Sequence, residues 1–334
     1  MSLSGALFRA RRVARAVGRE VSTEVDRARY RRVGGADLAL FHELVPAPTG
    51  GGNQFLRALL SELERRGVEV ELNRISRGTP ACLFNSFNFD FRRLRRFVRP
   101  DCRLVHRVDG PVGAYRGFDD GTDARVADVN RDLADATILQ SDYSLRAQRE
   151  LGIDLRAPIV IRNAVDPAVF HPPVARASLA GRKVRLIGVS WSDNPGKGAD
   201  VFGWLDDNFD GERFELTFVG RSSVAFRHTR ALGPLASAEL ADELRGHDIY
   251  VAASRGDPCS NALLEALACG LPAAYRASGG HPELVGEGGL PFESPDELPD
   301  VLDLLVAELD ERREAIRVPS LREVADRYLE VLRG

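Results

Sequence analysis

The chain repeats one local pattern, a short apolar strand followed by a loop and an amphipathic helix, and this alternation restricts the fold more than any other feature. It starts near residue 37, where DLALFHEL predicts a buried strand, PAPTGGGNQ a glycine-rich loop, and FLRALLSELERRG a helix that ends at Gly67. Further short strands are predicted by VEVELN, ACLFNSF, CRLVHRV and ATILQSD. Strands that alternate with helices in this way form a parallel sheet covered by helices on both faces.

A second unit of the same kind begins at residue 183. There KVRLIGVSW predicts a strand, SDNPGKG a loop and ADVFGWLDDNF a helix, and further strands are predicted by FELTFVG, DIYVAAS and LPAAYRA. Segment 158–174 predicts a strand followed by a Pro-rich exit that is a suitable linker, and 334 residues are enough for two domains. We expect an α/β protein with two Rossmann-like domains, at 36–170 and 171–319, which face each other across a cleft, with the C-terminal helix 320–334 joining the first. Ligands bind at the carboxyl ends of the strands in such sheets.

The first 35 residues form a separate basic segment. Apolar residues recur there at helical spacing, and nine arginines against three acids give a local charge of +6. A basic amphipathic helix of this kind either lies on an anionic membrane surface, which would make residues 1–33 a peripheral membrane contact, or packs on the body of the protein. The apolar side is mostly Ala and Val, so the pattern leaves both alternatives open.

Composition argues against several functional classes. The net charge of −3 gives no reason to expect nucleic-acid binding. No apolar run approaches the roughly 18 residues that span a bilayer, and the arginine-rich start lacks the apolar core of a signal peptide, so we expect a cytoplasmic protein. The four cysteines have no C-x-x-C spacing, the six histidines form no cluster, and no D-x-D triplet occurs. We therefore expect neither disulfides nor a metal site.

Lysine usage singles out one loop. Only Lys183 and Lys197 are lysines among the 46 basic residues. Lys197 stands between glycines in a loop after a predicted strand, and a lysine retained there indicates a need for a compact ammonium group that a planar guanidinium fills poorly.

Two acids eight residues apart follow the predicted strand 248–254. Asp257 lies in the turn that leaves this strand, and Glu265 lies inside the helix SNALLEALACG, which ends at Gly270. The N-terminus of that helix points into the cleft and suits a phosphate group. Either acid alone would be ordinary on a turn or a helix surface. Together they suit the two ends of an elongated ligand with hydroxyl groups, such as a sugar.

Residues 257–285, DPCSNALLEALACGLPAAYRASGGHPELV, resemble the signature of the group 1 retaining glycosyltransferases of the GT-B fold. That family has an acid, seven residues and a Glu, followed by an Ala-x-Gly-x-Pro strand and a Gly-Gly-x-Pro-Glu turn. The resemblance extends to residues 48–72, like the first glycine loop and helix, to 160–170, like the exit from the first domain, and to 186–202, like the first loop of the second domain.

The resemblance implies a nucleotide-diphosphate sugar as the donor substrate and no separate cofactor. Glu265 would hold the ribose hydroxyls, Asp257 would hold hydroxyls of the transferred sugar, and Lys197 would neutralise the leaving diphosphate. Backbone N–H groups of both domains would cradle the diphosphate, and these belong to Cys259, Ser260, Asn261, Gly51 and Gly52.

The segment LVHRVDGP, residues 104–111, occupies the strand end at which members of the family place a side chain beside the reacting sugar. Asp109 is the first choice for this catalytic role, with His106 and Arg107 behind it. Residues 85–91 and 107–118 lie in the loops that the family uses for acceptor contacts.

One departure from the family concerns the second cation for the diphosphate. The family commonly has an arginine shortly after the first strand of the second domain, where this chain reads Ser-Trp-Ser at 190–192 and has no basic residue before Lys197. Either Arg221 or Arg255 compensates for the missing arginine, or Trp191 stacks on the base instead.

The implied reaction is metal-independent transfer of a hexosyl group, with retained anomeric configuration, to a glycan or lipid-linked acceptor in bacterial cell-surface polysaccharide synthesis. Lys197 and the helix N-terminus would stabilise the charge that develops on the diphosphate. The alternatives are an epimerase or phosphorylase of the same fold, and a catalytically degenerate module that only binds a nucleotide-sugar. A dehydrogenase fits less well, because PTGGGNQ lacks G-x-G-x-x-G spacing.

Overall fold

The computed structural model describes residues 20–30, 34–45, 51–118 and 120–334, and these residues fold around two six-stranded sheets in which all pairings are parallel. The first sheet has the order β2-β1-β3-β4-β5-β6. Its strands are β1 (Leu38–Phe41), β2 (Val70–Leu72), β3 (Ala81–Asn85), β4 (Arg103–Arg107), β5 (Ala136–Leu139) and β6 (Pro158–Val160).

The second sheet has the order β12-β11-β10-β7-β8-β9. Its strands are β7 (Val184–Ser190), β8 (Phe214–Gly220), β9 (Arg230–Leu232), β10 (Ile249–Ala252), β11 (Ala273–Arg276) and β12 (Gly289–Phe292). The predicted fold class, two Rossmann-like α/β domains, is confirmed. Strands β9 and β12 were not predicted. Both are edge strands, β9 is short and mostly exposed, and β12 contains Gly289 and Pro291, so neither has the apolar pattern of a buried strand.

Helices cover both faces of the two sheets. They are α1 (20–30), α2 (Gly51–Arg65), α3 (Phe91–Phe97), α4 (Val112–Arg116), α5 (Thr122–Leu133), α6 (Asp142–Glu150), α7 (Ala199–Asn208), α8 (Ser237–Arg245), α9 (Asn261–Ala268), α10 (His281–Val285), α11 (Leu298–Ala307), α12 (Leu309–Ala315) and α13 (Leu321–Arg333). None of the helices described is both long and apolar enough to cross a bilayer.

Alternating side chains of the strands build the cores on the two faces of the first sheet. Leu38 and Leu40 of β1 pack in one cluster with α2 and α13, and Phe41 packs in the cluster on the opposite face. Helix α13 thus lies on the first domain although it follows the second in sequence. The rings of Phe55 on α2 and Tyr328 on α13 are 5.7 Å apart and fix this helix beside α2.

The strand order of each sheet indicates where a ligand binds. The first sheet reverses its winding direction between β1 and β3, and the second between β7 and β10. Loops that leave neighbouring strands at such a point diverge to opposite faces of the sheet, which opens a crevice at the carboxyl ends of the strands.

Helix α1 packs on the first domain through its polar side chains. Asp26 forms a salt bridge of 2.9 Å with Arg93 on α3, and the guanidinium of Arg74 lies 4.4 Å above the ring of Tyr30. Residues 1–19 and 31–33 lie outside the described residues, so the alternative of a membrane contact through residues 1–33 falls mainly outside them as well.

Candidate active site

A cavity of about 400 Å³ lies between the two domains at the crevice of the second sheet. The loops after β7 and β10 and the N-terminus of α9 form one wall, and residues from the ends of β4, β5 and β6 form the other. Most of the predicted site residues line it, namely Gly52, Asp109, Trp191, Lys197, Asp257, Cys259, Ser260, Asn261 and Glu265. Gly51 begins α2, directly before the lining residue Gly52.

Lys197 and Asp257 form an ion pair in the wall of this cavity. The Nζ of Lys197 lies 2.7 Å from Oδ2 of Asp257, and Oδ1 of Asp257 accepts the backbone N–H of Cys259 at 3.2 Å. Burial raises the pKa of the Asp257 carboxyl, but the positive charge of Lys197 and the hydrogen bonds outweigh it and hold this pKa below its usual value. Asp257 is therefore a fixed anion with a cation beside it, although the two residues are 60 positions apart.

The loop that carries Lys197 is shaped by close backbone packing. Lys197 ends a short 3₁₀ turn, and Gly198 follows it at φ +95°. A Cβ atom at Gly198 would overlap the Cβ and the carbonyl group of Ala253, which follows β10. Only glycine fits this contact without strain, and the contact holds the Lys197 loop against the strand end that leads to Asp257.

The two glycines after β11 support the Asp257 loop. Gly280 donates its N–H to the carbonyl of Asp257 at 2.8 Å, and a Cβ at Gly279 would overlap the Asp257 backbone. A Cβ at Gly280 would likewise overlap the carbonyl of Pro258. Glycine is therefore needed at both positions, because the turn after β11 packs directly on the backbone of the Asp257 loop.

Glu265 is a buried carboxylate to which the described residues offer no partner. It is 4% exposed, and burial raises its pKa to about 8. Within the part of the chain that the structure describes, no hydrogen bond or ion pair reaches this carboxylate. A buried carboxyl group without partners is costly in a folded protein, and here it lies in the wall of the cavity. The arrangement suits a ligand that brings its own hydrogen-bond donors.

The N-terminus of α9 contributes backbone donors to the same wall. Ser260 caps the helix, and its hydroxyl accepts the N–H of Leu263 at 3.4 Å. Asn261 and Cys259 flank the cap, and burial raises the pKa of the Cys259 thiol to about 12, so this cysteine is not a nucleophile. The positive end of the helix dipole lies beside the Lys197 ammonium group, which makes this wall suitable for an anion.

A buried arginine organises the opposite wall. The guanidinium of Arg107 donates to Oδ1 of Asn85 at 2.7 Å, to Oδ1 of Asp109 at 3.0 Å and to Oδ1 of Asn163 at 3.0 Å. It lies 5.0 Å from the ring centroid of Phe55 and its side chain is only 1% exposed. Arg107 therefore fixes the orientation of Asp109, whose own side chain remains 27% exposed towards the cavity.

His106 does not lie at the site, and its geometry corrects the catalytic role that the sequence suggested. Successive side chains of a strand point to opposite faces, so when Arg107 faces the cavity wall His106 faces the core. Its ring stacks on Phe84 at 4.3 Å, Nε2 contacts the carbonyl of Ser86 at 3.0 Å, and Nδ1 contacts Asn130. Complete burial lowers its pKa to about 3, so the ring stays neutral and serves the core.

Of the three residues considered as substitutes for the missing arginine, one lines the cavity and two do not. Trp191 lines the cavity and is half-buried. Arg221 is exposed and is not among the lining residues, so its predicted role in donor binding is not supported by its position. Arg255 donates to Asp200 at 2.7 Å, outside the cavity. Among the described lining residues, Lys197 and Arg107 are the cations, and Arg107 is committed to its three oxygen partners.

Several lining residues were not identified from the sequence, among them two amide side chains of the first domain. Gln140 follows β5 and donates to the carbonyl of Val108 at 3.0 Å, and Asn163 follows β6 and donates to Oδ1 of Asn261 at 3.1 Å. Both stand one to three residues after a predicted strand, and this position at the carboxyl end of a parallel strand was the signal that pointed to them.

A larger groove of about 1090 Å³ lies at the opposite, amino-terminal ends of the strands in the second sheet. Its charged groups are largely paired with each other, as in the salt bridges of Arg185 with Glu215 at 2.8 Å and of Arg230 with Glu243 at 3.0 Å. The groove therefore has fewer unsatisfied groups to offer a ligand than the cavity between the domains. Within the described residues, no group of three His, Cys, Asp or Glu side chains is arranged to hold a metal ion.

Comparison with known proteins agrees with the two-domain fold. Residues 207–308 match the model of the family described as Glycosyl transferases group 1. No curated protein matches the chain. Among solved structures, the chain is similar to sucrose-phosphate synthase from Thermosynechococcus elongatus, with a TM-score of 0.71 and 15% identity over 89% of this chain and 98% of that one.

Two further solved structures extend the comparison. Anabaena HepE in complex with UDP gives a TM-score of 0.66 and 16% identity over 89% of this chain and 99% of that one. The catalytic domain of starch synthase IV from Arabidopsis thaliana, bound to ADP and acarbose, gives 0.68 and 12% identity over 90% and 99%. At these identities the likeness establishes the shared GT-B fold of the two domains.

Proposed function

We propose that this protein transfers a sugar from a nucleotide-diphosphate sugar to an acceptor hydroxyl with retained anomeric configuration. The proposal starts from the GT-B fold and from the match of residues 207–308 to the model of the group 1 glycosyl transferases. The observation that carries the proposal is the Glu265 carboxylate, which is buried in the cavity wall and has no partner among the residues that the structure describes. It lies on the same helix whose N-terminus adjoins the Lys197–Asp257 pair.

Glu265 is assigned to the ribose of the nucleotide. The two vicinal hydroxyls of a ribose donate hydrogen bonds to the two oxygens of one carboxylate, which compensates for the desolvation that raises the pKa of Glu265. Protein donors are absent around this carboxylate among the described residues, so the ligand supplies them. Binding of the donor then favours the ionised form of Glu265.

The diphosphate is assigned to the region between Lys197 and the N-terminus of α9. The ammonium group of Lys197 and the backbone N–H groups of Ser260 and Asn261 at the start of α9 are cationic or dipolar groups already in place before the reaction. Their attraction grows as negative charge develops on the leaving diphosphate. We therefore propose that this charge is stabilised without a metal ion.

The reacting sugar is assigned to the space between Asp257 and Asp109. Asp257 accepts hydrogen bonds from sugar hydroxyls with the oxygen lone pairs that Lys197 and the Cys259 N–H leave open. Asp109 faces the cavity from the other domain and is held by Arg107, so it is placed to act beside the reacting carbon or the acceptor hydroxyl. No covalent glycosyl-enzyme step is needed for this assignment.

The nucleotides bound in the similar solved structures suggest which donors to test first. HepE has been solved with UDP and with UDP-glucose, and starch synthase IV with ADP. We extend this to the present chain as the proposal that its donor is a nucleotide-hexose. We further propose a glycan or lipid-linked acceptor in bacterial surface polysaccharide synthesis, with contacts from the loops at 85–91 and 107–118.

A second candidate is a nucleotide-sugar-binding module without transferase activity. The observation that favours it is the Ser-Trp-Ser segment at 190–192, which supplies no basic residue. Of the cations among the described lining residues, Lys197 is paired with Asp257 and Arg107 donates to side-chain oxygens of the first domain. This candidate predicts donor binding that depends on Glu265 but no consumption of the donor.

Calorimetric titration of UDP-, ADP-, GDP- and dTDP-hexoses in the absence of metal tests the proposal. Glu265→Gln and Lys197→Ala are expected to lose binding of the preferred donor. Lys183→Ala is the matched control for Lys197, because Lys183 is the other lysine and lies in the groove at the far ends of the strands. Absence of binding to every donor by the folded wild type, or binding that is unchanged in both site variants, contradicts the proposed function.

A further inference from the structure

Glu283 joins the two domains through two backbone hydrogen bonds. Its Oε2 accepts the N–H of Asp142 at 2.8 Å, and its Oε1 accepts the N–H of Tyr143 at 2.7 Å. Glu283 lies on α10 of the second domain, whereas the two donors begin α6 of the first. The carboxylate is only 16% exposed, so both bonds are charge-assisted and partly shielded from water.

The contact completes the N-terminus of α6. The first N–H groups of a helix have no partner within the helix. Here the hydroxyl of Ser141 accepts the N–H of Ser144 at 3.0 Å, and Glu283 takes those of Asp142 and Tyr143. The negative charge also lies at the positive end of the helix dipole, where it is favourable. One side chain of the second domain therefore occupies an end that the first domain leaves open.

The turn that precedes Glu283 is also hydrogen-bonded to the Asp257 loop. Gly280, three residues earlier, donates to the carbonyl of Asp257 at 2.8 Å. Pro258, the next residue of that loop, packs so closely on Gly110 that a Cβ at Gly110 would overlap it. Gly110 directly follows the acid that the first domain contributes to the cavity. Glu283 thus lies close in sequence to the turn that supports the Asp257 loop, and this loop packs on the first domain beside Asp109.

Two arginines of the first domain lie near the same carboxylate. Arg146 is 3.5 Å and Arg162 is 3.9 Å from Glu283, but both are well exposed. Exposed ion pairs at these distances contribute little, so the specificity of the contact comes from the two backbone donors.

We propose that Glu283 is a positioning residue for the transfer reaction: it binds the N-terminus of α6 and thereby holds Asp257 of the second domain opposite Asp109 of the first. The proposal rests on the proposed function for the reaction itself, but the contact is measurable without it. Glu283 touches neither donor nor acceptor in this assignment and acts through the loop of Asp257.

Hydrogen exchange tests the contact directly. The amides of Asp142 and Tyr143 have the two oxygens of Glu283 as their acceptors, so both are expected to exchange slowly in the wild type. Glutamine keeps one acceptor oxygen, so at least one of the two amides is expected to exchange at least tenfold faster in Glu283→Gln, whereas the N–H of Ser144 keeps the hydroxyl of Ser141 as its acceptor. Glu287→Gln is the matched control, because Glu287 is exposed and lies four residues further along the chain. Unchanged exchange of both amides in Glu283→Gln overturns the proposal.

Proline at position 142 removes one donor without removing the carboxylate. Asp142 is the first residue of α6, where proline is well tolerated, and Ser141 before it has the extended conformation that a following proline requires, with φ −158° and ψ 158°. Asp142→Pro lacks the N–H, whereas the control Asp142→Ala keeps it. The comparison isolates one hydrogen bond from the loss of the Asp142 side chain.

Kinetics then separates positioning from general destabilisation. Glu283→Gln and Asp142→Pro are each expected to lower kcat by roughly 10- to 100-fold, the effect of a small misplacement of reacting groups, with donor affinity within about twofold of the wild type. Asp142→Pro is expected to have a much smaller effect in the Glu283→Gln background than alone, because Glu283→Gln already weakens the hydrogen bond that the proline removes. Independent, multiplicative losses, or an unchanged kcat in Glu283→Gln, overturn the proposal.

The two proposals fail in different ways. If the folded wild type binds no nucleotide-sugar, the proposed function fails, while the exchange of the amides at 142 and 143 still shows whether Glu283 holds α6. If donor binding and transfer are normal in Glu283→Gln although these amides exchange fast, the transferase assignment stands and the positioning role is refuted.

Discussion

Replacement of Glu265 by glutamine is expected to stabilise the protein and to abolish donor binding. The carboxyl has a pKa of about 8 in the fold against 4.5 as the ordinary value, a difference of about 3.5 pH units that corresponds to about 5 kcal/mol at 1.36 kcal/mol per unit. The folded state holds this proton between about pH 4.5 and 8 while the unfolded state has released it. The wild type therefore loses stability as the pH rises through this window, and a neutral glutamine of the same shape does not.

The size of the effect follows from the same two pKa values. Relative to the wild type, Glu265→Gln is expected to gain about 1 kcal/mol in the free energy of unfolding at pH 5, about 3 kcal/mol at pH 7 and about 5 kcal/mol at pH 9. Urea unfolding of both proteins at these three pH values, without ligand, measures the difference. Glu287→Gln serves as the control, since an exposed glutamate is expected to give no such trend.

The refuting result is a difference between Glu265→Gln and the wild type that is the same at pH 5 and pH 9. Such a result would mean that Glu265 is solvated or paired in the free protein. The reason for assigning it to a ligand with its own donors would then disappear. A gain in stability that grows with pH, together with loss of donor binding, supports the assignment of the buried Glu265 carboxylate to a ligand.

Three further outcomes follow from the contacts of the site. Lys197→Ala leaves the buried carboxylate of Asp257 without its cation, so we expect a loss of roughly 1–3 kcal/mol in the free energy of unfolding besides the loss of donor affinity, measured by urea unfolding and calorimetry. Gly198→Ala forces a Cβ into Ala253 at a positive φ, and we expect a loss of about 2 kcal/mol or more with the same unfolding assay. Asp109→Asn is expected to lower the rate of transfer by at least tenfold while donor affinity in calorimetry stays within about twofold, because Asp109 belongs to the domain opposite the nucleotide.

Each of these outcomes has a matched control. Lys183→Ala removes the other lysine without affecting the cavity, and an equal loss in both lysine variants would contradict a specific role of Lys197. Gly211→Ala adds a methyl group whose nearest neighbour is 4.0 Å away, and equal effects of the two glycine variants would contradict the packing argument. Donor affinity that collapses in Asp109→Asn would place Asp109 in the nucleotide site.

The fold was largely predictable because its signals are local. Eight strands have apolar runs that are largely buried in the structure, and loops or segments of helical periodicity separate these runs in the sequence. The strands are β1, β3, β4, β5, β7, β8, β10 and β11. Strand β9 is short and mostly exposed, and β12 contains Gly289 and Pro291, so both depend on pairing at the sheet edges. Their pairing depends on a neighbour already in place, which a local pattern does not contain.

The candidate site was predictable to the extent that it follows strand ends. Asp257, Lys197 and Asp109 lie in loops after strands, so the expectation that they share a cleft needed only the topology. The direction of single side chains was harder. His106 and Arg107 are neighbours on β4, and only the strand register decides which one faces the cavity.

The contacts across the cleft could not be predicted. Glu283 binds residues about 140 positions away, and its partners are backbone groups that carry no sequence signal. The three oxygen partners of Arg107 come from three different strand ends, which the sheet brings together. Such contacts follow from the docking of two domains and are visible only in the folded molecule.

The most direct test of the central claim is to follow the anomeric proton by NMR while the protein consumes its preferred nucleotide-sugar in the presence of candidate acceptors without metal. The account predicts that the first glycosyl product has the anomeric configuration of the donor, and that Glu265→Gln and Lys197→Ala form none. A product of inverted configuration, or turnover that survives in both variants, would contradict it.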